Sequence, residues 1–180
     1  KPQAGQITLN GGQLEGPLWR RARQGLSYVP QGPSVLKKMT VAENVSLGFQ
    51  APDDAALNTL LARFELTDVS DQRAGLLSGG ERRRVELARA FASKPGFFLI
   101  DEPFAALDPR SVSGLSRHLR ECAKDGVGIL LTDHYIVQAL DVCHRIYILN
   151  EGRVICSGSA EEVAQNPTVR HTYLGAEFPL

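Results

Sequence analysis

Two apolar runs, "FFLID" at Phe97–Asp101 and "GILLTD" at Gly128–Asp133, constrain this chain more than any other feature. Each has the length and continuous apolarity of a strand covered on both faces. The stretch between them, Pro109 to Lys124, reads as a helix, and a strand–helix–strand crossover belongs to a parallel α/β sheet. The alternation continues through a helix over Tyr135–Val142, a strand "RIYIL", and a hairpin-like "NEGRVICSG" that turns at Glu151-Gly152. Upstream, Gln6–Leu9 and Leu26–Val29 are short runs of β-formers ended by Gly or Pro, with one or two helical turns in "PLWRRAR" between them. From Val41 to Ala92 apolar residues recur at three- and four-residue spacing, which predicts an all-helical insert. The tail predicts two short helices, Ala160–Gln165 and Pro167–Tyr173.

Composition removes several function classes. Twenty basic and twenty acidic side chains cancel, so no global positive field favours nucleic acid, and none is expected as a partner. Three cysteines, Cys122, Cys143 and Cys156, contain no CxxC pair, which suits reduced thiols better than a disulfide framework. No metal is expected on sulfur. The longest apolar runs are far short of a membrane span, and Lys1–Asn10 has no apolar core of the kind a signal peptide carries.

The chemistry concentrates where the strands end. Asp101 and Glu102 follow a buried strand, the place where open α/β sheets put ligand chemistry. One carboxylate there suits a Mg²⁺ ion that travels with a nucleotide, because Mg²⁺ takes oxygen ligands and keeps several waters. The next suits the orientation or deprotonation of an attacking water. The plain alternative for such a pair is a helix cap or a loop anchor. Ser78, Gly79 and Gly80 open a basic helix, and free backbone N–H groups at a helix start attract phosphate. The usual companion, a Gly-rich loop ending in Gly-Lys-Ser/Thr, is not found in these 180 residues. Gly32 with Lys37 lacks both the second glycine and the Ser/Thr beside lysine, and is rejected as such a loop.

Taken in order, Gln31 after a strand and a proline, "LSGGE" at Leu77–Glu81, Asp101-Glu102, "ALDP" at Ala106–Pro109 and His134 after "LLTD" resemble the ATP-binding-cassette (ABC) ATPases over nearly the whole chain. The resemblance implies a P-loop NTPase (RecA-like) α/β fold, with residues 1–31 and 94–158 as the core, 32–93 as the helical subdomain and 159–180 as the tail. It assigns Gln31 to the Q-loop, Ser78, Gly79 and Gly80 to the signature, Asp101 to the Walker B aspartate and Glu102 to the catalytic glutamate. Asp108 falls in the D-loop and His134 is the switch histidine. ATP and Mg²⁺ are the implied cofactors, the ion near Asp101 and Gln31. A homodimer is implied too, with each signature closing on ATP held by the partner's P-loop, and the family's own P-loop is expected upstream of Lys1.

Within that family, "RARQGLSYVPQGPSVLKKMTVAENV", "LLTDHYIVQALDVCHRIYILNEGRVICSG" and "TYLGAEF" resemble the cytosolic ATPases of bacterial lipopolysaccharide export. The branched-chain amino acid import ATPases share much of the pattern, and ABC ATPases without a membrane partner are a third reading. The branch implies a cytoplasmic protein, peripheral on the inner membrane, that grips permease subunits near Leu36, Lys37 and Met39. Among the remaining residues, Arg82–Arg84 reads as a solvated helix face without catalytic role, His118, His144 and His171 as surface or packing residues, and Trp19 as core or interface.

Overall fold

The computed structural model describes residues 4–51 and 53–174. Most of the closing "TYLGAEF", the first residues of the expected core and Pro52 lie outside the described residues.

Three strands, β3 (Leu26–Val29), β4 (Phe97–Asp101) and β5 (Gly128–Thr132), form a parallel sheet in that order, with Val29 opposite Ile100 and Asp101 opposite Thr132. This register brings three carboxyl ends to one edge, and so places Gln31, Glu102 and His134 side by side. Two further pairs are separate antiparallel ribbons. β1 (Thr8–Leu9) pairs with β2 (Gly12–Gln13), and β6 (Ile146–Asn150) pairs with β7 (Arg153–Gly158). The second ribbon turns at Glu151 and Gly152, both with left-handed φ (47° and 75°), the geometry that matches strand twist in a two-residue hairpin.

The helices are α1 (Leu18–Arg23), α2 (Val41–Ser46), α3 (Asp54–Arg63), α4 (Gly79–Ala92), α5 (Pro109–Lys124), α6 (Ile136–Val142), α7 (Ala160–Gln165) and α8 (Pro167–Val169), the last followed by a π-helical turn over Arg170–Leu174. Their starts are written locally. Thr40, Ser78 and Ser159 each close a reciprocal capping box with the glutamate three residues on, and Asp108 caps α5 with Pro109 at its first position.

One apolar core joins the insert to the sheet. Phe64 at the end of α3 meets Phe91 of α4 at 6.0 Å, and Phe91 meets Phe98 of β4 at 6.2 Å. Phe64 and Phe98 are fully buried, a gain of about 1.5–3 kcal/mol for each side chain. A smaller cluster around Ile146, Val163 and Val169 lies under the β6–β7 ribbon.

The expectation of strands covered on both faces holds for one face only. Val29, Phe98 and Ile100 are buried. Tyr28, Leu99 and Leu130, in register across the three strands, form the opposite row, with Tyr28 48% and Leu130 53% exposed. Beside that row, Leu18, Trp19 and Arg21 of α1 help line a groove of about 530 Å³. Trp19 is exposed, and the Arg20 and Arg23 guanidiniums lie 5.5 and 5.4 Å from its ring centroid.

Candidate active site

Three strand ends converge on one carboxylate oxygen. Glu102 Oε2 accepts a hydrogen bond from Gln31 Nε2 at 2.7 Å and lies 3.2 Å from His134 Nδ1. Gln31 follows β3, Glu102 follows β4 and His134 follows β5, so the contact is a direct product of the parallel register. Glu102 holds a left-handed backbone, φ 41°, which costs a non-glycine residue on the order of 1–3 kcal/mol. The surrounding hydrogen bonds hold it there. Its N–H donates to the Thr132 carbonyl at 2.8 Å, and its own carbonyl accepts from Arg83 Nη2 at 3.0 Å.

Asp101 is half-buried, and its Oδ1 accepts from the Thr132 hydroxyl at 2.5 Å. Asp133, whose side chain is fully buried, accepts from the backbone N–H of Phe104 (3.2 Å) and of Tyr135 (2.9 Å) and thereby sets the loop that presents His134. Among the described residues no group of three His, Cys, Asp or Glu side chains is arranged to hold a metal ion. Nucleotide-bound Mg²⁺ takes one or two protein carboxylates and keeps several waters, a need that the Asp101 carboxylate at the end of β4 fits.

Ser78, Gly79 and Gly80 form a second centre at the start of α4. The Ser78 side chain accepts from Glu81 N–H at 3.3 Å, while Glu81 Oε2 accepts from Ser78 N–H (2.8 Å) and Ser78 Oγ (2.6 Å). The Ser78 hydroxyl, with its N–H, holds the Glu81 carboxyl below the usual carboxylate range. Gly80 has a packing role as well. A Cβ there would stand 2.3 Å from Ser111 Oγ and 2.8 Å from Ser111 Cβ, so the two helix starts touch only because it has none. Asp108 accepts from Ser111 Oγ (2.5 Å), Ser111 N–H (3.0 Å) and Arg110 N–H (3.0 Å), and the Ser111 hydroxyl leads in lowering its pKa. A cleft of about 320 Å³, lined by Gln31, Gly79, Arg82 and Leu107 among others, joins the two centres.

The reading of Arg82–Arg84 as a solvated face fails at Arg83, which is 7% exposed and bound to backbone carbonyls of both strand ends. The sequence carries one signal for it: Arg83, Glu86 and Arg89 recur every three residues on α4, and Glu86 is 3% exposed. Of the expected permease-facing residues, Leu36 and Lys37 are exposed and Met39 is half-buried, whereas neighbouring Val35 joins the core. His118 is a packing residue, 1% exposed on α5.

A model of the ABC transporter family matches residues 1–105 of this sequence. The chain belongs to that family. As an ABC protein it is 41% identical to the lipopolysaccharide export system ATP-binding protein of Acidithiobacillus ferridurans, over all of this chain and 78% of that protein. It is 40% identical to the protein of the same name in Escherichia coli K12, over 91% of this chain and 71% of the relative. An uncharacterized ABC transporter ATP-binding protein of Rhizobium meliloti is 40% identical, over 98% of this chain and 68% of its own length. Among solved structures, cbiO1 from Clostridium perfringens, part of the ABC transporter complex cbiONQ, superposes with a TM-score of 0.81 at 28% identity, covering 98% of this chain and 74% of that one. An ATP-binding cassette of an ABC transporter in its ADP conformation shares the fold, with a TM-score of 0.83 over 96% of this chain and 78% of the other. The P-loop NTPase fold class expected from the sequence is the fold of these neighbours.

Proposed function

We propose that this ABC protein is the ATP-hydrolysing subunit of a transporter, and that its cargo is lipopolysaccharide. The observation that carries hydrolysis is the convergence of Gln31 and His134 on a single Glu102 oxygen at the end of β4. Glu102 is the general base: as a water oxygen attacks the γ-phosphorus, its proton passes to the Glu102 carboxylate and the bond to the ADP oxygen breaks. Gln31 and His134 hold that carboxylate in place. Asp101 and Gln31 would hold Mg²⁺, which would supply neutralisation of charge on the phosphates.

Ser78, Gly79 and Gly80 serve the partner copy. The start of α4 offers backbone N–H groups to phosphate, and in a homodimer they meet the γ-phosphate of ATP carried by the other subunit's P-loop, with Asp108 at the junction. The catalytic centre is then built by a core of residues 1–31 and 94–158, while residues 32–93 carry the signature and the permease contact near Leu36, Lys37 and Met39. Among the described residues no helix is long and apolar enough to cross a membrane; the likeness to lipopolysaccharide export ATP-binding proteins is what supports placing the subunit peripherally on the cytoplasmic face of the inner membrane.

The cargo assignment is supported by the roughly 40% identity to proteins named for lipopolysaccharide export. Depletion of the protein in its host tests it. Newly made lipopolysaccharide then accumulates in the inner membrane; normal delivery to the outer membrane, with loss of uptake of a solute instead, would assign another cargo.

A further inference from the structure

The strand ladder stops short of the catalytic residues. Its last β3–β4 pair is Val29 opposite Ile100, so Pro30–Gln31 and Asp101–Pro103 run on without ladder bonds between them. One buried side chain binds the backbone of both segments. The guanidinium of Arg83 donates to the Pro30 carbonyl (2.7 Å) on one side, and to the carbonyls of Asp101 (3.1 Å), Glu102 (3.0 Å) and Pro103 (3.3 Å) on the other. Its remaining contact is the Glu86 carboxylate at 3.0 Å. Glu86 in turn accepts from the N–H and hydroxyl of Ser34, and Arg89 Nη2 donates to the Ser34 carbonyl (3.0 Å) and Oγ (2.7 Å). The row Arg83, Glu86, Arg89 on α4 therefore grips the Gln31 loop at both Pro30 and Ser34, while Arg83 also grips the backbone that carries Glu102.

We propose that Arg83 is a positioning residue for hydrolysis, fixing Gln31 and Glu102 at their contact distance through the backbone on which each is mounted; the inference rests on Glu102 acting as the base. Arginine suits the task because its planar fork offers five N–H donors in fixed directions, whereas lysine offers a point charge with three. A buried ion pair is a poor device for stability alone, since apolar residues of similar volume often do as well. Here its donors are directed at the carbonyls of the two segments that meet at the reacting centre.

The test compares Arg83→Lys with the charge-neutral pair Arg83→Met/Glu86→Gln in the full-length protein, each alone and combined with Gln31→Ala, reading kcat, KM for ATP and melting temperature. Because a misplacement of about 1 Å can cost about 10²-fold, both variants should fold cooperatively and lose about 10–100-fold in kcat, with KM within about threefold. In the Gln31→Ala background the same substitutions should cost much less, because the contact being positioned is already gone. Unchanged kcat, losses that multiply independently of Gln31→Ala, or loss of folding in both variants would each overturn the proposal and assign Arg83 to stability. Glu102→Gln, measured alongside, separates the two ideas: parental turnover in that variant sinks the hydrolysis reading, whereas a dead Glu102→Gln with independent Arg83 losses sinks only the positioning role.

Discussion

Gly80→Ala separates the packing role of Gly80 from any role toward phosphate. Gly80 has no left-handed φ, so the backbone accepts alanine, but the new methyl would stand 2.8 Å from Ser111 Cβ and 2.3 Å from its Oγ. A hydroxyl can rotate away, yet the Cβ is fixed to the first turn of α5, so the two helix starts must part by several tenths of an ångström. Overpacking of this kind costs about 1–3 kcal/mol. Replacing a glycine in the first turn of a helix by alanine returns about 0.5 kcal/mol, the low end of the mid-helix value. The net loss is about 0.5–2.5 kcal/mol, which for a protein of this size lowers the melting temperature by roughly 1–10 °C. Thermal denaturation of the full-length protein, followed by circular dichroism, reads the shift. Ser111→Gly removes the opposing atoms, so in its presence Gly80→Ala should cost little further stability. An unchanged melting temperature in Gly80→Ala, or full additivity with Ser111→Gly, would refute the packing account and leave phosphate approach as the reason for the glycine.

Two further outcomes follow from exposure and burial. Burial, with the Arg117 charge second, pushes the His118 ring below its ordinary pKa, so the unfolded chain binds the proton more readily and stability falls as pH drops from above 6.5 through the lowered folded value. Chemical denaturation between pH 7.5 and 5, pH values set above the carboxylate range, should therefore show stability falling toward lower pH, with a slope of at most about 1.4 kcal/mol per pH unit, that flattens in His118→Leu; an equal slope in both proteins would refute it. Leu36 is 47% exposed, with its backbone N–H and carbonyl held by Asn44, so Leu36→Asp should leave stability within about 0.5 kcal/mol. Co-purification with the permease should weaken in that variant, and undiminished binding in a folded protein would place the contact elsewhere.

Much of this was legible in the sequence because local rules agreed with the fold. "FFLID" and the helix from Pro109 to Lys124 have the boundaries their apolarity, Asp108 cap and first-turn proline dictate. Glu151-Gly152 announced its hairpin. Gln31, Glu102 and His134 were readable because motif order places them at strand ends, which the parallel register then unites. Arg83 left only the three-residue recurrence of Arg83, Glu86 and Arg89, since three consecutive arginines on a helix look alike until the packing shows which one faces inward. Asn44 was hidden for the same reason: it is fully buried, and its amide organises the loop from Leu36 to Thr40 through three backbone carbonyls. A lone polar residue bound to backbone groups, as Asn44 is, leaves no periodic trace. Nor does the sequence reveal which strand face stays open, because Leu99 and Ile100 are equally apolar.

Glu102 acts, in the function proposed above, as the base of an ATPase. This role is tested most directly by the rate of phosphate release from Glu102→Gln beside its affinity for ATP, in the full-length protein with Mg²⁺. The amide keeps the shape of the side chain and removes the proton acceptor. ATP should bind at least as tightly as in the parent, with turnover lower by about 10²–10⁴-fold. Turnover within a few-fold of the parent, with ATP still bound, would contradict that role.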